Sequence, residues 1–185
     1  MENKTHIVIL GLLNEQPLSG YDIKKLIDLR FRFFWNESYG QIYPQLKKLE
    51  KAGLIKADNK EESGRSKQRY MITSDGREVL QQWLGMSPEK ESVRIELLLK
   101  MYFTDQRSSS LLTDYINTFQ ASHSQDLILL NLFKRELESI PDPHHNHHNH
   151  QNIISVIEFG IKTNQAYLDW CSETLTNLEK NDEQK

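Results

Sequence analysis

The chain has 185 residues, 37% of them hydrophobic and 26% charged, with a net charge of −3 and one cysteine. This balance suits a soluble, helix-rich protein and excludes wholesale disorder. The longest apolar run, Ile7 to Leu13, falls short of the roughly 18–20 residues of a membrane span, and no small-residue cleavage site follows it.

Charge is divided unevenly. Residues 1–85 carry 14 Lys and Arg against 11 Asp and Glu, whereas residues 86–185 carry 9 against 15. A basic front half and an acidic back half are compatible with nucleic-acid binding confined to the front. The lone Cys171 cannot form an intramolecular disulfide, and a cytoplasmic location is expected.

In chain order, Ile7, Leu10 and Leu13 recur at helical spacing and predict a first helix over Thr5 to Glu15, ended by Pro17. Ser19, with Asp22 three residues on, caps a second helix expected to run to about Phe34. A third, from near Ser38 to Gly53, has Ile42, Leu46 and Leu49 as its buried stripe, and Gly53 suits the left-handed residue that ends helices. LIKAD (54–58) and RYMIT (69–73) alternate apolar and polar residues, and the ten residues between them contain nothing apolar, so the pair reads as a β-hairpin with a long polar tip. A fourth helix follows a Thr73 or Ser74 cap and carries Val79, Leu80, Trp83 and Leu84. Ser87, Pro88 and Glu89 form a helix-start pattern, predicting a fifth helix from there to near Thr104. A long helix over Ser108 to Ser139, a break at IPDPHHNHHNHQN, and a last helix over Ile153 to Leu178 complete the chain.

The last helix has the clearest periodicity. Ile154, Ile157, Ile161, Asn164, Leu168, Cys171, Leu175 and Leu178 alternate spacings of three and four, a heptad seam interrupted by one polar residue. Ile153, Val156, Tyr167 and Trp170 form a second stripe beside it. Two apolar faces need more than one partner, so the seam is assigned to dimerisation, with an intramolecular helical hairpin as the alternative. At a seam position Cys171 is read as buried and inert.

Three helices followed by a two-stranded hairpin are the element order of a winged helix-turn-helix. The fold expected is mostly α: a winged helix-turn-helix with a two-stranded β-wing over residues 1–86, then an α-helical dimerisation domain over 87–185. In such a domain the third helix enters the major groove. Here Ser38, Tyr39, Gln41, Tyr43 and Gln45 are polar or amphipathic and precede the basic pair Lys47–Lys48, with Pro44 within the first two turns. Gln41 suits a bidentate contact to adenine, Tyr39 and Tyr43 suit thymine methyls or phosphate, and Lys47 suits the backbone. Arg65, Ser66, Lys67 and Arg69 place three cations within five residues of the hairpin, where they can neutralise phosphates or enter the minor groove. Glu61 and Glu62 oppose this unless the hairpin turns them away.

The stretches SGYDIKK, FFWNESYGQIYPQLKKLEKAGLI and GRSKQRYMITSDGREVLQQWL resemble the DNA-binding domain of PadR-type transcriptional regulators over about residues 5–85. IELLLKMYF and AYLDWCSETL resemble the C-terminal helices of the longer members. The resemblance implies a homodimer formed by those helices. It also implies double-stranded operator DNA bound through Ser38 to Lys47 and a wing at Gly64 to Arg69, and usually a repressor released by a small molecule such as a phenolic acid or a flat hydrophobic drug. Trp35, Trp83, Tyr102, Phe103, Phe159 and Trp170 are the aromatics from which an effector pocket can be built, although aromatics at helical spacing more often belong to a core.

The histidine run departs from the family pattern. His144, His147, His148 and His150 have one-turn spacings that fit a divalent metal if the segment is helical, which raises a metal-responsive regulator; a solvated connector is the plainer reading. No phosphate-binding loop, nucleophile elbow or zinc-protease motif is present, so neither an enzyme nor a resident cofactor is expected. A winged helix can also serve as a protein-interaction module without DNA, and the charge over the third helix and wing discriminates the two.

Overall fold

The computed structural model describes residues 4–35, 39–58, 68–104, 109–139 and 150–183. The chain forms two compact units, Met1–Lys90 and Glu91–Lys185, with the division four residues beyond the expected boundary.

In the first unit, α1 (Thr5–Glu15) ends where Gln16 turns extended ahead of Pro17, as a residue preceding proline tends to. β1 (Leu18–Ser19) leads directly into α2 (Gly20–Arg30). The start of α2 is a reciprocal cap: the Asp22 backbone N–H donates to Ser19 Oγ at 3.2 Å, and the Ser19 N–H donates to Asp22 Oδ2 at 3.1 Å. The helix stops at Arg30, short of the expected Phe34. Phe31 to Phe34 form a turn in which Phe34 meets both Phe31 and Phe33 edge-on, at 5.8 and 4.9 Å between centroids.

A 3-10 turn (Tyr39–Gln41) opens α3 (Ile42–Lys51), so the α-helix begins four residues later than expected. Pro44 then falls in the first helical turn, where its missing N–H had no intrahelical partner to lose. At the other end, Gly53 is left-handed with φ 72°, and the Leu54 and Gly53 N–H groups donate to the Leu49 and Glu50 carbonyls at 3.0 Å each. Both bonds of a Schellman motif are made.

β2 (Ile55–Ala57) and β3 (Arg69–Ile72) form the hairpin, and β1 pairs with the far edge of β3. The expected two-stranded wing is therefore part of a three-stranded antiparallel sheet of order β1-β3-β2, with Leu18 opposite Tyr70 and Ile55 opposite Ile72. α4 (Ser74–Leu84) is capped by Thr73, which accepts from the Gly76 N–H at 3.1 Å and donates to the Gly53 carbonyl at 2.8 Å. Ile7, Ile9, Leu10, Ile23, Ile42, Leu46, Ile55 and Ile72 are among the residues of a single buried core.

In the second unit, residues 87–95 do not form the expected helix, and α5 is confined to Glu96–Phe103. Lys90 to Arg94 offer only Val93 as a large apolar side chain, and it is exposed, so no packed face rewards a helix there. α6 (Ser109–Glu138) and α7 (His150–Glu183) are long and pack along one another. α7 extends past both expected ends. Among the described residues no helix is long and apolar enough to cross a membrane.

Candidate nucleic-acid interface

Ile42, Leu46 and Leu49 turn one stripe of α3 into the core. At 3.6 residues per turn, the opposite side carries Pro44, Lys47, Lys48 and Lys51, all exposed. Gln41, also exposed, precedes the helix on one shoulder of this face. Tyr43 stands on the other shoulder and is 58% exposed. Lys51 lengthens the stripe by one turn beyond the stretch expected from the sequence, and its spacing of four from Lys47 is the signal that marks it. Glu50 lies on the Tyr43 shoulder. Burial first, then the nearby Glu50 carboxylate and Tyr43, push the Tyr70 hydroxyl up from its ordinary value.

Tyr39 opens the 3-10 turn, while Ser38 lies outside the described residues. So do Arg65, Ser66 and Lys67 of the expected wing. Arg69 is placed in β3 opposite Ser19 and donates from Nη2 to the Pro17 carbonyl at 2.5 Å, so it stands at the base of the hairpin, away from its tip. The Asp58 N–H donates to the Arg69 carbonyl at 2.9 Å, which closes that base.

The aromatics expected to line an effector pocket fall in both units. Trp35 is half-buried, and its Nε1–H has no acceptor among the described residues. Trp83 is partly exposed on α4. In the second unit, Tyr102 and Phe103 stack edge-on at 5.2 Å but are 84% and 76% exposed, whereas Trp170 packs against Phe119 at 6.2 Å.

The heptad seam is largely used within one chain. Ile157, Asn164 and Cys171 are buried, and Ile154, Ile161, Leu168, Leu175 and Leu178 are half-buried. Asn164 Oδ1 lies 2.7 Å from Nδ1 of His123 on α6, and Glu158 pairs with Lys134 at 2.7 Å. What the single chain leaves uncovered is a different set: Leu99, Ile128, Leu132 and Phe159 join Tyr102 and Phe103 among its exposed large apolar residues. Of the histidine run, His144, His147 and His148 lie outside the described residues, and His150 is buried as the first residue of α7. Among the described residues no cluster of His, Cys, Asp and Glu is placed to hold a metal.

Residues 9–82 match the model of the transcriptional regulator PadR-like family, and residues 93–179 match that of the virulence activator alpha C-terminal domain. The negative transcriptional regulator PadR of Bacillus subtilis is 30% identical over 93% of this chain and 96% of its own. A PadR-like regulator from Bacillus cereus is 28% identical, with a TM-score of 0.78 over 96% of this chain and 99% of that one. The Bacillus subtilis protein in complex with operator DNA is 28% identical, with a TM-score of 0.74 over 92% of this chain and 95% of that one. In complex with p-coumaric acid its figures are 25% and 0.68, over 96% and 99%. The chain belongs to the PadR-like family of transcriptional regulators.

Proposed function

We propose that the protein is a homodimeric repressor that binds duplex operator DNA through the outward face of α3 and the hairpin at Gly64–Arg69, and that a small aromatic or phenolic effector releases it. The observation that carries this reading is the stripe of Lys47, Lys48 and Lys51 beside Gln41 and Tyr43, on a helix whose other side is fully engaged in the core. Three cations spaced along one helix face suit a phosphate backbone, while Gln41 and Tyr43 stand at the helix start, where base edges are met. The Bacillus subtilis relative, solved with operator DNA and with p-coumaric acid, supports both the nucleic-acid partner and the effector class. The uncovered apolar residues of α5, α6 and α7 support a second chain as the partner of that unit.

Binding to the DNA upstream of the protein's own gene, measured against random duplex over a range of salt, tests the reading. Preference for the upstream sequence with a steep salt slope is expected. Replacing Arg65, Lys67 and Arg69 by Ala is expected to flatten the slope by about 0.9 for each phosphate no longer neutralised. Equal affinity for random DNA removes the operator claim, and an unchanged slope means that the hairpin does not touch the phosphates.

A further inference from the structure

Gly20, the first residue of α2, is flanked by fixed structure. Leu18 and Ser19 are paired with β3, and the Ser19–Asp22 cap holds the turn that follows. Its backbone does not need a glycine, because Gly53 is the only described residue with positive φ. The space at this position supplies a reason for its presence. A methyl group on Gly20 would lie 2.7 Å from Cε1 and 3.3 Å from Cδ1 of Tyr43, and 3.1 Å from Cδ1 of Leu46. Leu46 is a core residue, but Tyr43 belongs to the shoulder of the outward face and is mostly in solvent. The edge of the tyrosine ring therefore rests on bare backbone at the start of α2. Tyr70 lies near it on the sheet side.

We propose that Gly20 is a specificity-determining positioning residue: the gap it leaves seats the Tyr43 ring at one fixed place beside α3, where its apolar edge meets the C5-methyl of a thymine in the bound site. This rests on the reading of α3 as the helix that enters the groove. A ring free to sample several rotamers touches that methyl only part of the time, whereas a ring held against the α2 backbone presents one edge. Gly20 itself touches no base. Its effect on sequence preference runs through Tyr43 alone.

The test uses the full-length protein and its upstream duplex, with each thymine replaced in turn by uracil, which removes only the methyl group. The unsubstituted protein is expected to bind one uracil duplex several-fold more weakly than the thymine parent. Tyr43→Ala is expected to abolish that difference. Gly20→Ala is expected to reduce it to near unity while the melting temperature and helix content stay close to the parent's, and to change nothing further when added to Tyr43→Ala. Full discrimination in Gly20→Ala, or a Gly20→Ala effect that persists in the Tyr43→Ala background, overturns the proposal. No uracil effect at any position also overturns it, with α3 still free to act through Gln41 and the lysines. Loss of all preference for the upstream duplex in the parent protein instead overturns the operator reading itself. Should Gly20→Ala fail to fold, Tyr43→Phe and Tyr43→Leu at intact Gly20 decide: phenylalanine must keep the discrimination that leucine loses, and equal behaviour refutes the positioning role.

Discussion

The Asn164–His123 pair lends itself to a double-mutant cycle whose outcome follows from its geometry. Asn164 is 3% exposed, and its Nδ2 donates to the Gly160 carbonyl at 2.8 Å. That bond orients the amide, so Oδ1 faces His123 as an acceptor and His123 Nδ1 carries the proton between them at 2.7 Å. Phe119 and Tyr167 pack tilted against the same imidazole, at 4.2 and 4.7 Å between centroids. Asn164→Leu strands the imidazole N–H, and His123→Leu strands the amide oxygen. Each is expected to cost about 1–3 kcal/mol, whereas replacing both together leaves no orphan and is expected to cost less than about 1.5 kcal/mol. Urea denaturation at fixed protein concentration reads the cycle. A 2 kcal/mol loss moves the midpoint by roughly 1 M at a slope of about 2 kcal/mol/M. Single effects that simply add in the double variant would show that the two side chains are not coupled, and would refute the mutual dependence of the buried pair.

Three further outcomes are expected. Gly76→Ala should destabilise the first unit by at least about 1–3 kcal/mol, because its methyl group would overlap the Leu54 carbonyl oxygen, an immobile backbone atom; thermal melting checks it. Cys171 should resist thiol reagents in the folded protein and react after denaturation, since burial pushes its pKa above the usual 9.0; because the folded state holds this proton more tightly, the associated stability is fully present below the usual 9.0 and is lost as pH rises above it toward the raised folded value, which melting followed from neutral pH upward will show. If a second chain covers Leu99, Ile128, Leu132 and Phe159, the melting temperature should rise with protein concentration, and a flat dependence with a monomeric mass in sedimentation would refute the dimer.

Local chemistry made much of the first unit legible. The bounds of α1, the caps at Ser19 and Thr73 and the left-handed Gly53 are all signalled within a few residues of where they act. The departures arise where tertiary packing decides. β1 is two residues long and exists only because β3, some fifty positions away, offers it a free edge. The aromatic run after Arg30 continues a helical pattern, yet the chain turns there and its rings meet one another edge-on. Ser87-Pro88-Glu89 is a sound start signal, but Lys90 to Arg94 behind it offer only the exposed Val93, so the helix waits until Glu96. At the candidate interface, Gln41, Tyr43, Pro44 and Lys47 are exposed and share the start of α3, and the spacing of four from Lys47 marks Lys51, but only the structure shows how closely Tyr43 approaches Gly20. No local pattern in the sequence encodes that approach of ring to backbone.

The two units assign their side chains differently, and this separates folding from recognition. In the first unit the inward stripe of α3 closes the core with α1, α2 and the sheet, so Lys47, Lys48 and Lys51 have no part in that packing. Removing an exposed lysine there leaves the core intact and changes stability by no more than about 0.5 kcal/mol, so a loss of DNA affinity in such a variant reports on binding itself. In the second unit the seam of α7 both closes the helix pair and sets the register of the two helices through Asn164 and His123. A slip that separates Asn164 from His123 would leave the buried amide oxygen without this partner, at the cost of an unpaired polar group. The polar residue that interrupts the heptad pattern thus disfavours any pairing of the two helices that parts it from His123.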